Sequence, residues 1–205
     1  MGIKKYYASK DNTITNAFKA NLSDRGTAAN MGAADILEAF VIHGQTSASV
    51  SEAPSAQNAL TAEQTRFLVQ FPVVDIAADM AAGTLPNATG SLKFYLNMYN
   101  APHGSTLPLS FSLGAHLISR EWDEGRGLDM DNYTNIGQSS WVSASTTTSW
   151  TTPGGDVLTG PDTSGTINFP TGLENIELDI SEFVYSWLDS TANYGLLLRF
   201  PDSAV

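Results

Sequence analysis

The chain has 205 residues, no cysteine and a formal net charge of −11. That length makes one large β domain or two small ones, burying roughly 70% of the unfolded surface. Missing thiols exclude a disulfide framework and a thiolate metal site, and ten scattered basic residues in an acidic chain argue against nucleic acid as a partner.

In chain order, residues 1–7 (MGIKKYY) read as an N-terminal extension. They contain lysines but no apolar core of a secretory signal, and Tyr6 stands where a myristoylation pattern needs Ser or Thr. No stretch approaches the ~18 consecutive apolar residues of a membrane span. ILEAFVI (36–42) is apolar on both faces and predicts a central strand. Residues 44–62 are low in bulk and predict a mobile loop. TRFLVQFPV then alternates with period two, Phe67, Val69, Phe71 and Val73 on one face, Arg66 and Gln70 on the polar other. SLKFYLNMYN sets Leu92, Phe94, Leu96 and Met98 against Lys93, Tyr95, Asn97 and Tyr99. LSFSLGAHLIS opposes Leu109, Phe111, Leu113, Ala115 and Leu117 to Ser110, Ser112 and His116.

Residues 125–172 hold few strand signals and many Gly, Thr, Asp and Asn. ENIELDI brings Ile176, Leu178 and Ile180 to one face, and GLLLRF reads as a buried last strand. Only SEFVYSWLDS invites a helix. Phe183, Val184, Trp187 and Leu188 recur at helical spacing, Ser181 can cap the first turn, and Glu182 suits its positive end. Many short strands with turn chemistry between them predict an all-β, antiparallel two-sheet sandwich of jelly-roll type with one short helix near the C-terminal end. The expected unit covers residues 8–200, with 201–205 as its C-terminal end.

Large aromatics in the polar connections call for partners. Trp150 precedes the turn Pro153-Gly154-Gly155-Asp156 and reads as an anchor whose burial stabilises by ~2–3 kcal/mol. Trp122, Trp141 and, on the helix, Trp187 read likewise. The acidic stretch EWDEGRGLDMDNY (121–133) gathers the hard oxygens of Asp123, Glu124, Asp129, Asp131 and Asn132. Calcium takes such ligands, with Asp129, Asp131 and Asn132 the candidate set. The spacing is not that of an EF-hand, and a solvated acidic loop is the default reading, with Glu124 orienting the turn through backbone hydrogen bonds. Tyr95 and Tyr99 lie on the polar face of one strand and Tyr133 in the acidic loop. Tyrosines so placed either stack a sugar ring or pack against a neighbouring subunit.

Catalysis has little support. His43, His103 and His116 lie far apart without motif context, and no nucleophile elbow, zinc-protease helix motif or phosphate-binding loop is present. The adjacent Asp123 and Glu124 are not by spacing a glycosidase pair. No catalytic residue is expected, and no cofactor apart from calcium.

Several stretches carry a resemblance. DNTITNAF with ANMGAADILEAFVI, RFLVQFPV, SLKFYLNMYNA, EWDEG, WTTPGGD and above all LDISEFVYSWLDSTANYGLLLRF resemble the disaggregatase-related (DNRLRE) repeat domain, a β-sandwich often grouped with carbohydrate-binding modules. The opening MGIKKYYASKDNTITNAF with EGRGLDMDNY resembles virion structural proteins of tailed marine bacteriophages, including those infecting cyanobacteria. The resemblance implies a non-enzymatic virion component made in the host cytoplasm, present in several copies, with other virion proteins and copies of itself as partners. It implies a neck or tail position before capsid decoration, and a further portion beyond RFPDSAV. The carbohydrate-binding relatives imply the alternative, recognition of a host surface glycan. Neither nucleic acid nor membrane is expected as a partner.

Overall fold

A computed structural model describes residues 2–42, 63–88, 90–102, 104, 108–130 and 138–202. The loop expected at 44–62 lies outside the described residues, as do Asp131, Asn132, Tyr133, His43 and His103.

The described elements are β1 (Lys10–Thr15), β2 (Val41–Ile42), β3 (Glu63–Gln70), α1 (Val73–Ala81), β4 (Tyr95–Met98), β5 (Phe111–Leu117), β6 (Ser164–Phe169), β7 (Ile176–Asp179), α2 (Ser181–Asp189) and β8 (Leu196–Arg199). One sheet runs in the order β1-β3-β8-β5-β6, with β2 pairing the start of β3, while β4 and β7 form a second sheet. Every pairing is antiparallel. The fold is mostly β, and its two sheets share a core as those of a sandwich do.

Register decides what each face carries, because a strand turns successive side chains to opposite sides. Thr13, Phe67, Leu198, Ala115 and Gly165 stand side by side across the large sheet on its first face. The neighbouring row, Asn12, Leu68, Leu197, His116 and Ser164, points to the second face. The first face joins Phe67, Val69, Leu113, Leu117, Ile167 and Leu198 to Leu96 and Ile176 of the small sheet and to Val73, Ile76, Phe183, Val184 and Trp187 of the helices. On the second face Ile14, Leu68 and Leu197 pack with Ile118, Trp122, Trp141, Ala144 and Trp150.

This second core corrects the expectation that Arg66 and Gln70 mark a polar outer face. The large sheet is covered on both sides because the segment between β5 and β6, poor in strand signals, lays three tryptophans across it. Arg66, expected on a polar face, is therefore buried. Its guanidinium lies 4.8 Å from the Trp141 ring centroid and donates to the Gly154 carbonyl at 2.8 Å and to Gln64 Oε1. Burial, with Arg199 adding to it, lowers the Arg66 pKa to about 10, which leaves it charged at neutral pH.

Other elements also differ from expectation. Among the described residues two helices are present where one is expected. Val73, expected at the end of a strand, opens α1 because Pro72 ends the β3 ladder, lacking an N–H to donate. Val73 and Ile76 then face the core. In α2, Ser181 is the first helical residue and not the cap: its N–H donates to Asp179 Oδ1 at 2.9 Å, and its hydroxyl accepts from Phe94 N at 3.0 Å. ILEAFVI is no central strand. Only its last two residues pair, Ile36 is 54% exposed, and Leu37 and Ala39 pack against the first core. Thr13 and Thr65 instead take this segment's amides, accepting from Glu38 N at 3.1 Å and Phe40 N at 2.8 Å. Within 125–172, SGTINF forms the strand β6, with Ile167 and Phe169 inward.

Candidate functional site

The tryptophan cover spans the second face over β1, β3 and β8 and leaves the β5–β6 half open. There the row Leu197–His116–Ser164 is followed by Arg199–Gly114–Thr166, all on the same face. A cavity of about 260 Å³ lies over them, walled by Ser112, His116, Ser164, Thr166, Arg199 and Asp202. Gly114 forms its floor: a Cβ there would stand 2.6 Å from His116 Nε2. Glycine weakens a strand interior, and one in such a place marks a bulge or a close approach by another group.

Charge and hydrogen bonding distinguish this cavity. Arg199 Nη1 pairs with Asp202 at 2.9 Å, yet its buried Nε has no hydrogen-bond partner among the described residues. Burial lowers the His116 pKa below its ordinary value, and Arg199 pushes the same way, so the imidazole is neutral at pH 7. Arg66 also adds positive potential here. Arg199 is the cation of the cavity, with Asp202 as its counter-charge.

The acidic segment has a different role. Asn30, fully buried, donates from Nδ2 to the Glu124 carbonyl at 2.6 Å and the Ser139 carbonyl at 2.7 Å, and its Oδ1 accepts from Gly127 N at 3.0 Å. Asn12, also buried, donates to Ser139 and accepts from Met31 N. Glu124 Oε1 accepts from Asp11 N at 2.9 Å, so this carboxylate holds backbone. Lys10 Nζ donates to the Trp122 carbonyl and lies 4.7 Å from the centroid of the Trp122 ring. Asp129 is itself engaged in an interaction, while its candidate calcium partners Asp131 and Asn132 lie outside the described residues. Among the described residues no group of three or more His, Asp or Glu is placed to hold a metal ion.

Each tryptophan is buried. Trp150 donates from Nε1 to the Ser140 carbonyl at 2.8 Å, Trp122 to the Tyr194 carbonyl at 2.8 Å, and the Trp141 carbonyl accepts from Gly154 N. Gly154 and Gly155 both take positive φ, and a Cβ on Gly155 would stand 2.5 Å from Leu197 Cδ1. Asp156 closes the turn by accepting the Thr151 and Thr152 amides. Trp187 lies in the first core. Tyr95 and Tyr99 point outward from the small sheet, 50% and 80% exposed, far from the tryptophan cover in the order of the fold.

Sequence reasoning placed His116 on a polar strand face but missed the cavity around it. The available signal was Gly114 inside an otherwise regular alternation, at a position where a side chain would normally stand.

Compared with known proteins, the chain matches no protein family, no curated protein and no solved structure. Among the described residues no helix is long and apolar enough to cross a membrane.

Proposed function

We propose that this protein is a non-enzymatic structural component of a tailed bacteriophage virion, assembled in several copies and made in the host cytoplasm. A neck- or tail-attached position is favoured over capsid decoration. The sequence resemblance supports the reading, and one structural observation carries it further: the outward face of the small sheet offers large exposed side chains. Tyr95 projects from β4 and Tyr99 follows its last residue, and Asn100 bonds to Asn175 and Gly172 in the neighbouring turn, where Leu173 is 66% exposed. Exposed tyrosine and leucine grouped on a rigid face suit a subunit contact. A jelly-roll path belongs to the same proposal. Its support is that the chain passes from the large sheet (β3) to the small (β4), back for β5 and β6, over again for β7 and home to β8.

Two measurements test this. Mass spectrometry of purified virions should detect the chain. Sedimentation should show association that rises with concentration and weakens in Tyr99→Ala. A chain absent from virions and monomeric throughout would overturn the proposal.

The second reading, a carbohydrate-binding module, draws its support from the polar cavity on β5, β6 and β8 and from the same two tyrosines. Glycan binding lost in Tyr95→Ala or Tyr99→Ala, without self-association, would favour it.

A further inference from the structure

We infer that the cavity floored by Gly114 binds a small hydroxylated carboxylate, of the kind a sugar acid presents. The carboxylate would pair with Arg199, and the hydroxyls with Ser112, Ser164, Thr166 and His116. The inference concerns a ligand site and stands whether or not the protein belongs to a virion.

Arg199 Nε and the polar groups around it carry it. The side chains of Ser112, Ser164, Thr166 and His116 line the cavity, Ser164 and Thr166 in contact with solvent, and Arg199 Nε has no hydrogen-bond partner among the described residues. Polar side chains elsewhere on this face are tightly engaged, as Asn12, Asn30, Gln64 and Arg66 are. The missing Cβ of Gly114 lets the His116 ring lie over the strand, where a Cβ would stand 2.6 Å from Nε2, and so sets the imidazole at the floor of the cavity.

Charge selects the class. A guanidinium presents a planar fork that matches a carboxylate. Asp202 already answers part of the Arg199 charge, which suits a monoanion better than a doubly charged phosphate. Three hydroxyls and a neutral imidazole can both donate and accept, as the hydroxyl groups of a ligand require. The volume of about 260 Å³ lies just below the ~300–1,000 Å³ of sites for drug-sized molecules, which limits the occupant to about one ring.

The test is titration of the intact protein with glucuronate, glucose and acetate, followed through the His116 imidazole resonances and by calorimetry. Glucuronate should give saturable shifts at His116 and bind about tenfold or more tightly than glucose. Arg199→Gln should abolish that preference. Thr166→Ala, an exposed position that leaves the core untouched, should weaken glucuronate while the fold is retained. A uronic-acid oligomer separates the sources: tighter binding than the monomer assigns a unit of a polymer, and equal binding a free sugar acid, either outcome supporting the site. Equal affinity for glucose, equal affinity for acetate, absence of saturation, or indifference to both substitutions would overturn it. None of these results bears on presence in virions, so the two proposals fail separately.

Discussion

At the scale of single residues, the second core depends on a few side chains that combine apolar bulk with a satisfied polar end. Trp150 shows why tryptophan suits this work. Its ring fills the space over Leu68 and Leu197, while its Nε1 finds the Ser140 carbonyl. Trp150→Ala should cost about 3–5 kcal/mol in urea denaturation, because a large cavity opens and a buried carbonyl loses its donor. A loss below about 1 kcal/mol would mean that the loop collapses freely into the space, and that Trp150 does not hold it. This residue was legible in the sequence: a lone large aromatic beside a Pro-Gly-Gly-Asp turn has few reasons to exist except burial. Arg66 was not. Its alternation with Phe67 reads as a surface position, and only the arrival of Trp141 and Gly154, 75 and 88 residues downstream, makes it interior.

At the scale of elements, what ties the tryptophan-bearing segment down is a pair of buried asparagines. Asn30 bridges residues 124, 127 and 139 to the turn before β2, and Asn12 bonds residue 139 from β1. Such groups are costly to bury unless every partner is met, and here each amide is used on both its ends. Asn30→Ala should destabilise by about 3 kcal/mol or more, since it strands the Glu124 carbonyl and the Gly127 amide. Hydrogen exchange should then quicken in residues 124–130 and 138–139 before it does in β3 or β8. Unchanged exchange there would refute the stapling role. Strand signals were readable wherever one face was apolar, as in β4, β5 and β7. They failed in β1, whose buried positions are largely Asn and Thr, and in β6, where glycine and threonine dilute the pattern. Helix α1 leaves no clear helical signal in the sequence, because its two valines favour strand locally and Pro72 falls inside a run that alternates like a strand.

At the scale of the whole molecule, two cores share one sheet. Leu68 and Leu197 serve the second core, while Phe67, Val69, Leu196 and Leu198 on the same two strands serve the first. Neither core can dissolve without disturbing strands that the other needs. Unfolding should therefore be a single transition, with tryptophan fluorescence and far-ultraviolet circular dichroism coinciding. Trp122, Trp141 and Trp150 report one core and Trp187 the other, so an early fluorescence change with the sheet signal intact would show that the cover is a separate unit. The same arrangement accounts for the position of the cavity, which is the part of the second face that the cover leaves open.

The sequence by itself determined the β character, the antiparallel strands with one apolar face and the helix before the last strand, because these follow from periodicity over a few neighbouring residues. Only the tertiary structure decided that the large sheet is buried on both sides, that Arg66 is interior, and that Gly114, His116 and Arg199 meet around one cavity. Those outcomes depend on which distant segments are laid over a face, and a contact between residues far apart along the chain leaves no local period to read.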